Sequence, residues 1–290
     1  EILTGLVGSE MCIRDRLYGM PVASAPACFV VNMDMWKKAG LSENELPKTW
    51  DDVKKAAKAL TKGNVHGLAI NDAEFHLTQY AQSFGGGWGE GKTIDTDANA
   101  KAMDFVIDMF KEGLAVTPKQ VGESWDGAVF TTGKAAMTTG GVWYAGAVAS
   151  AAPDMNYKVL PIPQADPNDV RCSLHSTAFV ALKSDKNEQN KEKIEKILNY
   201  LGREDYERFT MKQTGALPSN TKVAEEYYKL HPQFTALQGL KGTITSFGYP
   251  EETQRFANAL INAVDGAIYD KSFKKTGKDV VSQTAKAIAG

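Results

Sequence analysis

PVASAPACFVVNMDMWKKAGL, residues 21–41, gives the first strong indication of the fold class. Its first half is a run of small, apolar and β-branched residues, which predicts one strand over residues 21–31. Its second half predicts a short helix that ends at Gly40, because glycine is the usual residue after a helix C-terminus. A strand followed directly by a helix is typical of a layered α/β protein.

A stronger helix pattern follows in LPKTWDDVKKAAKALTK, residues 46–62. Thr49 caps the start of this helix, and Asp52, three residues later, completes a capping box. The apolar side chains recur at helical spacing and share one face, which we expect to be buried. They are Trp50, Val53, Ala56, Ala57 and Leu60.

Strand and helix patterns alternate through the rest of the chain. HGLAI (66–70) predicts a buried strand, EFHLTQYAQSF (74–84) a helix, and DANAKAMDFVIDMFKEG (97–113) a helix capped by Asp97. GGGWGEG lacks the lysine and serine of a phosphate-binding loop and predicts an ordinary loop. Further strands are predicted over 156–163 and 174–183, and further helices over 187–202, 203–215, 222–232, 251–269 and the C-terminal residues. The alternation predicts an α/β fold.

Composition excludes several classes of protein. The chain has 290 residues, of which 43% are hydrophobic, and a net charge of −2, so bulk charge does not favour a nucleic-acid partner. No apolar run is long enough to span a bilayer. The cysteines are Cys12, Cys28 and Cys172, and their spacing fits no zinc motif. We therefore expect no metal and no cofactor, with Cys28 buried as a small apolar residue.

Three motifs resemble the extracellular solute-binding proteins, family 1, of ABC importers, the family that includes maltose-binding proteins. The first motif is matched in order and spacing by Pro21, Asn32, Ala39, Gly40, Pro47, Thr49 and Trp50. The second, FTTGKAAMTTGGVW, is matched by Phe130, Gly133, Lys134, Ala135, Met137, Gly141 and Trp143. The third, QTGALPSN, contributes Gly215 and Pro218. The resemblance runs from Leu17 to the C-terminus.

The resemblance implies a two-lobe, type II periplasmic-binding-protein-like α/β fold. Its function would be to bind a carbohydrate in the cleft between the lobes and deliver it to a membrane permease, as a monomer and without catalysis. Such a protein is periplasmic or extracellular, and it meets the membrane only through its permease or a lipid anchor. Ligand held by both lobes favours the closed state, since only that state makes both sets of contacts.

The resemblance also predicts how the chain is divided. In the family, a lobe-one segment of about 100 residues, a typical domain's worth, precedes the first crossing strand. Here lobe one would be incomplete, with residues 17–21 and 163–217 as its remnant, and lobe two would comprise 22–162 and 218–290. Residues 1–16 contain VGSEMCIRDR, which resembles translated sequencing-adapter read-through, and we expect this leader to be non-native.

The resemblance places candidate ligand contacts at four positions in the expected lobe two. Trp143 matches the family's sugar-stacking tryptophan, and Tyr144 follows it. An indole face can pack against the C–H face of a sugar ring. Glu74 and His76 lie where maltose-type members hold an acidic and an aromatic residue, and a carboxylate can accept hydrogen bonds from sugar hydroxyls. Core packing for the tryptophan and a helix-start charge for Glu74 are the structural alternatives.

Four further candidates come from other segments. His175 lies where family members face the cleft from lobe one, and Ser24 on the crossing strand could reach a ligand hydroxyl. Trp88 and Glu90 belong to the glycine loop, where a tryptophan is expected to be an exposed, mobile rim contact. Trp125 and Asp126 are weaker candidates, because their helix face would bury the tryptophan. A structural role is the alternative at each of these positions.

Two alternative functions remain open. The same fold could bind a polyamine, a glycerophosphodiester or an iron complex, and Tyr227 and Tyr228 are similar to the adjacent tyrosines of iron-binding relatives. A hydrolase using Cys172 or a serine with His175 belongs to a different class. The chain lacks the glycine–x–serine–x–glycine elbow, and no acidic partner for a histidine is evident from the sequence.

Overall fold

A computed structural model of the chain describes residues 12–13, 16–17, 19–182, 184–240 and 244–289. Its strands are β1 Cys12–Ile13, β2 Arg16–Leu17, β3 Met20–Pro26, β4 Cys28–Asn32, β5 His66–Ala69, β6 Ala115–Val116, β7 Ala135–Gly140, β8 Tyr157–Pro161, β9 Cys172–Phe179, β10 Leu217–Pro218 and β11 Ile244–Thr245. Its α-helices are α1 Met33–Lys38, α2 Trp50–Leu60, α3 Glu74–Ser83, α4 Asp97–Lys111, α5 Asp126–Thr131, α6 Tyr144–Ala151, α7 Asn187–Leu201, α8 Glu204–Thr214, α9 Thr221–Leu230, α10 Thr253–Ile268 and α11 Gly277–Ile288. Most of the predicted leader, and the side chain of Cys12, lie outside the described residues.

The largest sheet in the described part of the chain has five strands in mixed orientation, in the order β6-β5-β7-β4-β8. β5 runs parallel to β6 and to β7, whereas β4 runs antiparallel to β7 and β8. Because β5 and β7 are parallel, their carboxyl ends open at the same edge of the sheet. Helices begin at that edge, and their first residues form the candidate site described below.

The predicted strand over residues 21–31 is in fact two strands in two sheets. β3 pairs with β9 and β10, while β4 pairs with β7 and β8. The break falls at Ala27, whose N–H donates to the carbonyl of Ser173 at 2.8 Å. Pro26, directly before it, has no N–H to continue a ladder. The segment therefore crosses from one sheet to the other at Ala27.

The local helix signals near the quoted stretch are confirmed. Asn32 caps α1, and Gly40 adopts a left-handed φ of 80° two residues after it. Thr49 and Asp52 form the predicted capping box of α2, and the predicted apolar face of this helix is buried. The predicted cap of α4 is wrong by one residue, since Thr96 caps that helix and Asp97 is its first residue.

A four-stranded sheet, in the order β10-β3-β9-β11, forms the second part of the molecule. α7 and α8 follow β9 in the chain, and α7 contains no buried residue. Large apolar side chains are exposed between residues 179 and 209, and we call these the exposed apolar set. They are Phe179, Val180, Leu182, Ile197, Tyr200 and Phe209.

Candidate functional site

The carboxyl ends of β5 and β7 place two aromatic side chains side by side. α3 begins shortly after β5 and carries Phe75 as its second residue, while Trp143 is the N-cap of α6, shortly after β7. In open α/β sheets, ligands bind in the crevice beyond the carboxyl ends of the strands. A ligand site is therefore expected at this edge of the sheet.

Three rings meet there, and we call Phe75, Trp143 and His175 the aromatic cluster. The centroid distances are 6.1 Å between Phe75 and Trp143, 6.1 Å between Phe75 and His175, and 6.2 Å between Trp143 and His175. Phe75 and Trp143 are partly exposed, and His175 is exposed. Three segments that are far apart in the sequence thus bring their rings together at a position that solvent can reach.

A fourth segment extends the cluster. Phe247, which follows β11, lies 6.2 Å from His175 between ring centroids, and Tyr249 stacks on Phe247 at 5.2 Å with planes 2° apart. Sequence reasoning missed Phe75 and Phe247. Phe75 lies between Glu74 and His76, which are both candidates from the sequence. Its place between two candidates at the start of a helix is the signal that could have identified it. No local signal marks Phe247, because its partner His175 is brought to it by the pairing of β11 with β9.

The glycine pair before Trp143 has a steric role. A Cβ on Gly141 would lie 2.3 Å from Cζ3 of the Trp143 ring, and a Cβ on Gly140 would lie 2.4 Å from Cε2 of Tyr144. Real Cβ contacts are essentially never that short. Glycine is therefore needed at both positions because the rings of Trp143 and Tyr144 fold back over this turn.

A buried polar network adjoins the aromatic cluster, since the ring of its member His76 lies 4.2 Å from that of Phe75. The Asp126 carboxylate accepts a hydrogen bond from Asn71 Nδ2 at 2.7 Å and a short one from the Tyr144 hydroxyl, and His76 Nε2 lies 3.4 Å from Asp126 Oδ1. The other nitrogen of His76 lies 3.1 Å from Thr139 Oγ1. Asp126, His76, Tyr144 and Thr139 are each no more than 1% exposed. Buried polar groups thus satisfy one another.

The network keeps Asp126 ionised. Burial raises the pKa of this carboxyl, but the neighbouring His76 imidazole and the hydrogen bonds from His76, Tyr144 and Asn71 outweigh burial and hold the pKa below its usual range. Burial, and then the Asp126 charge, raise the pKa of Tyr144 well above its usual value. The Tyr144 hydroxyl consequently stays protonated and donates to Asp126.

Four predicted ligand contacts are buried, namely His76, Tyr144, Trp88 and Ser24, which corrects the expectation that they are accessible to a ligand. His76 and Tyr144 belong to the polar network rather than to an accessible surface. Trp88 is fully buried, donates its Nε1 hydrogen to Thr78 Oγ1 at 2.8 Å and meets Phe256 edge to face at 5.2 Å. The predicted exposed rim position of Trp88 is wrong, because the glycine loop folds its tryptophan inward onto α10.

The other candidates are placed as follows. Glu74 is the partly exposed first residue of α3, directly before Phe75. Glu90 is exposed in the glycine loop, and its N–H donates to the Gly248 carbonyl at 2.8 Å. Ser24 is buried and pairs in register with Ser176, one residue from the pair formed by Ala25 and His175. Since side chains alternate along a strand, Ser24 lies on the face opposite His175 and is not brought to the aromatic cluster.

Cys28 and Cys172 are the cysteines whose side chains the structure describes, and both are buried. Cys28 is buried as predicted. Burial raises the pKa of the Cys172 thiol to about 12. The thiolate is the nucleophilic form, so Cys172 is poorly suited to the Cys–His chemistry considered above. Within the described residues, no group of three or more histidine, cysteine or acidic side chains could hold a metal ion.

Comparison with known proteins agrees with this fold. The sequence profile of the bacterial extracellular solute-binding protein family matches residues 2–208. The chain belongs to this family. The resemblance stated from the motifs, and the α/β fold with two lobes that it implies, are confirmed. Across the described residues, no helix combines the length and apolar character needed to cross a membrane.

Individual relatives are distant in sequence and close in fold. The chain is 26% identical over 297 residues to the arabinooligosaccharide-binding protein of Bacillus subtilis, covering 93% of this chain and 66% of the relative. It is 22% identical over 302 residues to the galactooligosaccharide-binding protein of the same organism, covering 97% and 68%. An ABC substrate-binding protein from Listeria monocytogenes in complex with cycloalternan aligns with a TM-score of 0.79 at 17% identity, covering 98% of this chain and 75% of that one. The chain thus spans about two thirds of the length of these curated relatives.

Proposed function

We propose that this member of the solute-binding family binds a neutral carbohydrate against the aromatic cluster and delivers it to an ABC permease. The observation that carries the proposal is the convergence of Phe75, Trp143 and His175 from three segments, with each pair of centroids 6.1–6.2 Å apart. Relatives that are named for arabino- and galactooligosaccharide binding support the substrate class.

The chemistry of the cluster suits a sugar. Pyranose and furanose rings present C–H faces that pack on aromatic faces, and their hydroxyls need hydrogen-bond partners at the rim. Glu74, at the edge of the cluster, is the proposed rim carboxylate that accepts from hydroxyls. His175 can donate or accept, whichever ring nitrogen carries the proton. A neutral ligand also agrees with the chain's net charge of −2.

Binding without catalysis is part of the proposal. His76, Asp126 and Thr139 form a histidine–acid–hydroxyl series that sequence reasoning did not find, but all three are buried. A substrate therefore cannot reach the Thr139 hydroxyl, and the series is better suited to supporting the adjoining site. We place the protein in the periplasm or outside the cell, in keeping with its family.

The proposed working cycle needs the two sheets to move relative to each other. Ala27 separates β3 from β4 and joins the two sheets, so rotation about this residue would change the distance between β9, which carries His175, and the ends of β5 and β7. The three rings are already in contact in the structure, so entry of a sugar would require His175 to move away from Phe75 and Trp143, and closing would bring His175 back against the bound sugar. A ligand that gains contacts only in the closed state shifts the population toward that state.

Titration calorimetry with a carbohydrate panel tests the proposal. The panel contains arabino-, galacto-, malto- and manno-oligosaccharides, with spermidine, glycerophosphocholine and ferric citrate as representatives of the other solute classes. We expect saturable binding of at least one oligosaccharide, with no heat from the other solutes. Binding of spermidine, glycerophosphocholine or ferric citrate alone would replace the carbohydrate proposal with that solute class.

A further inference from the structure

Two rings of the aromatic cluster, those of Phe75 and Trp143, each belong to a residue that is next in sequence to a member of the buried network. Phe75 directly precedes His76, and Trp143 directly precedes Tyr144. The Phe75 and His76 rings also touch, with centroids 4.2 Å apart. Contacts that hold His76 and Tyr144 close to each other therefore also limit how far Phe75 can move from Trp143.

Asp126 makes these contacts, because its carboxylate connects α5, to which it belongs, with the start of α3 and the start of α6. Its Oδ1 accepts from Asn71, between β5 and α3, and lies 3.4 Å from His76 of α3. Its Oδ2 accepts from Tyr144 of α6. Asn71 is itself tied to the start of α3, since its Oδ1 accepts from the Ala73 N–H at 3.0 Å. The starts of the two helices that carry the rings are thus fastened to a single buried side chain.

The connection requires a carboxylate. An ionised aspartate has two acceptor oxygens and no donor, so it can receive hydrogen bonds from Asn71, His76 and Tyr144 together. An asparagine of the same shape has one acceptor oxygen and a donor NH₂, so that at least one of these donors would face another donor. Leaving a buried donor unpaired is costly, and the structure relieves such a cost by moving the donor away.

We propose that Asp126 is a positioning residue that holds Phe75 and Trp143 edge to face, so that the two rings form one apolar surface on which a sugar ring stacks. Asp126 touches no ligand in this arrangement, since it is 1% exposed. The predicted effect on sugar binding rests on the proposed carbohydrate function. The structural part of the inference, the placement of Trp143 by Asp126, does not depend on which ligand binds.

Asp126→Asn tests the inference, with Glu207→Gln as the matched control. Glu207 is another buried carboxylate, 2% exposed, which joins α8 to the segment after β10 by accepting from Ser219 Oγ at 2.8 Å and Asn220 N–H at 2.9 Å. Both variants neutralise a buried cross-linking carboxylate, but only Asp126 contacts the helices that carry the rings. Each protein is labelled with 5-fluorotryptophan, and Trp143→Phe identifies the fluorine resonance of Trp143 among the five tryptophans.

The inference predicts that Asp126→Asn shifts or broadens the Trp143 fluorine resonance in the protein without ligand, and weakens binding of the tightest panel oligosaccharide about tenfold. Glu207→Gln should leave both unchanged, even if it lowers the melting temperature. If Asp126→Asn does not fold, Tyr144→Phe removes only the hydroxyl donor to Asp126 and should change both readouts in the same direction by a smaller amount.

Two results would overturn the inference. One is an unmoved Trp143 resonance in folded Asp126→Asn, or in Tyr144→Phe where the first variant does not fold. The other is an equal change of the resonance in Glu207→Gln. A failure of the proposed function is distinguishable from both, because a wild-type protein that binds no oligosaccharide still reports on the Trp143 resonance. In that case the fluorine spectra of the wild type and the variants alone decide whether Asp126 positions Trp143.

Discussion

Trp143 combines partial exposure with ring contacts on two sides, which makes it the residue with most to gain from a stacked ligand. Burying an aromatic side chain contributes about 1.5–3 kcal/mol. We therefore expect Trp143→Ala to weaken oligosaccharide binding about tenfold to a hundredfold, as measured by calorimetry. Trp88→Phe is the control, because Trp88 is a buried tryptophan and its change should lower stability while keeping the dissociation constant. An unchanged dissociation constant in Trp143→Ala would remove Trp143 from the site.

Asp265 on α10 should make the protein less stable as the pH rises. Burial, and then the nearby charge of Asp72, raise the pKa of Asp265 from 3.8 to about 6, with Lys119 acting in the opposite direction. The folded state therefore holds this proton more tightly than the unfolded state, and stability is lost as the pH rises from about 4 through 6. Asp265→Asn should raise the melting temperature at pH 7.5 and change it progressively less as the pH falls below 6.

Asp270→Asn is the matched control for this experiment, since it also removes one negative charge. Hydrogen bonds from the Ser272 backbone and side chain lower the pKa of Asp270, so its charged form is favoured by folding. Neutralising it should lower the melting temperature at pH 7.5 or leave it unchanged. If both variants raise the melting temperature equally at pH 7.5, net charge is responsible and the local account of Asp265 is wrong.

The surroundings of a residue can be predicted from the sequence only where its neighbours in space are also its neighbours in the chain. Trp143 was predicted from its motif, because the glycine pair and tryptophan are adjacent in the chain. Trp88 was assigned to an exposed rim because its flanking glycines indicate a loop, but its burial depends on Thr78 and Phe256, which are remote from any local pattern. The sequence makes Asp126 a weaker candidate because its helix face would bury Trp125, and it gives no sign of the polar network, since Asn71, His76 and Tyr144 are all remote from Asp126 in sequence.

At the scale of elements, α4 and α7 offer a direct comparison. Both helices have 15 residues, but α4 buries eight of its side chains and α7 buries none. Tertiary burial, rather than intrinsic propensity, provides most of the stability of a helix in a protein. We expect the amides of α7 to exchange with deuterium at least about tenfold faster than those of α4, since local opening there needs less energy. Equal protection of the two helices by mass spectrometry would contradict the solvent-exposed packing of α7.

Local signals predicted the elements, whereas pairing decided how they are arranged. The capping box of α2 and the end of α1 at Gly40 were predictable, because all of the groups involved lie within a few residues. The division of residues 21–31 into two strands was not, because both halves have similar composition. The division arises because the Ala27 N–H donates a hydrogen bond to the Ser173 carbonyl, and because β3 pairs with β9 whereas β4 pairs with β7.

For the whole molecule, the exposed apolar set predicts self-association. Six large apolar side chains between residues 179 and 209 are exposed in the described structure, with Leu182 the most exposed at 81%. Exposed apolar surface of this kind favours contact between copies or with other apolar surfaces. Sedimentation velocity at increasing concentration should show oligomers, and Ile197→Lys combined with Phe209→Lys should shift them toward monomer.

Leu230→Lys is the control for that experiment, because Leu230 is 54% exposed but lies on α9, outside the exposed apolar set. It removes the same kind of side chain and adds the same charge as each change in the test variant. A wild-type protein that stays monomeric at all concentrations would show that the exposed apolar set does not drive association. Equal dispersal by Leu230→Lys would assign the effect to charge rather than to these positions.

The division into a partial lobe one and a lobe two remains a prediction. The five-stranded sheet uses only strands from residues 28–161, which is consistent with the expected lobe-two range. The other sheet combines β3, β9, β10 and β11 from several parts of the chain. Sequence reasoning could predict the family from ordered motifs, but only the assembled sheets place Phe75, Trp143 and His175 together.

A crystal structure with the tightest panel oligosaccharide bound is the most direct test of the central claim, that the aromatic cluster holds a carbohydrate. The account predicts a sugar ring in van der Waals contact with the face of the Trp143 indole, and with Phe75 and His175 around it. Oligosaccharide bound elsewhere, with the Trp143 face still open to solvent, would contradict the account.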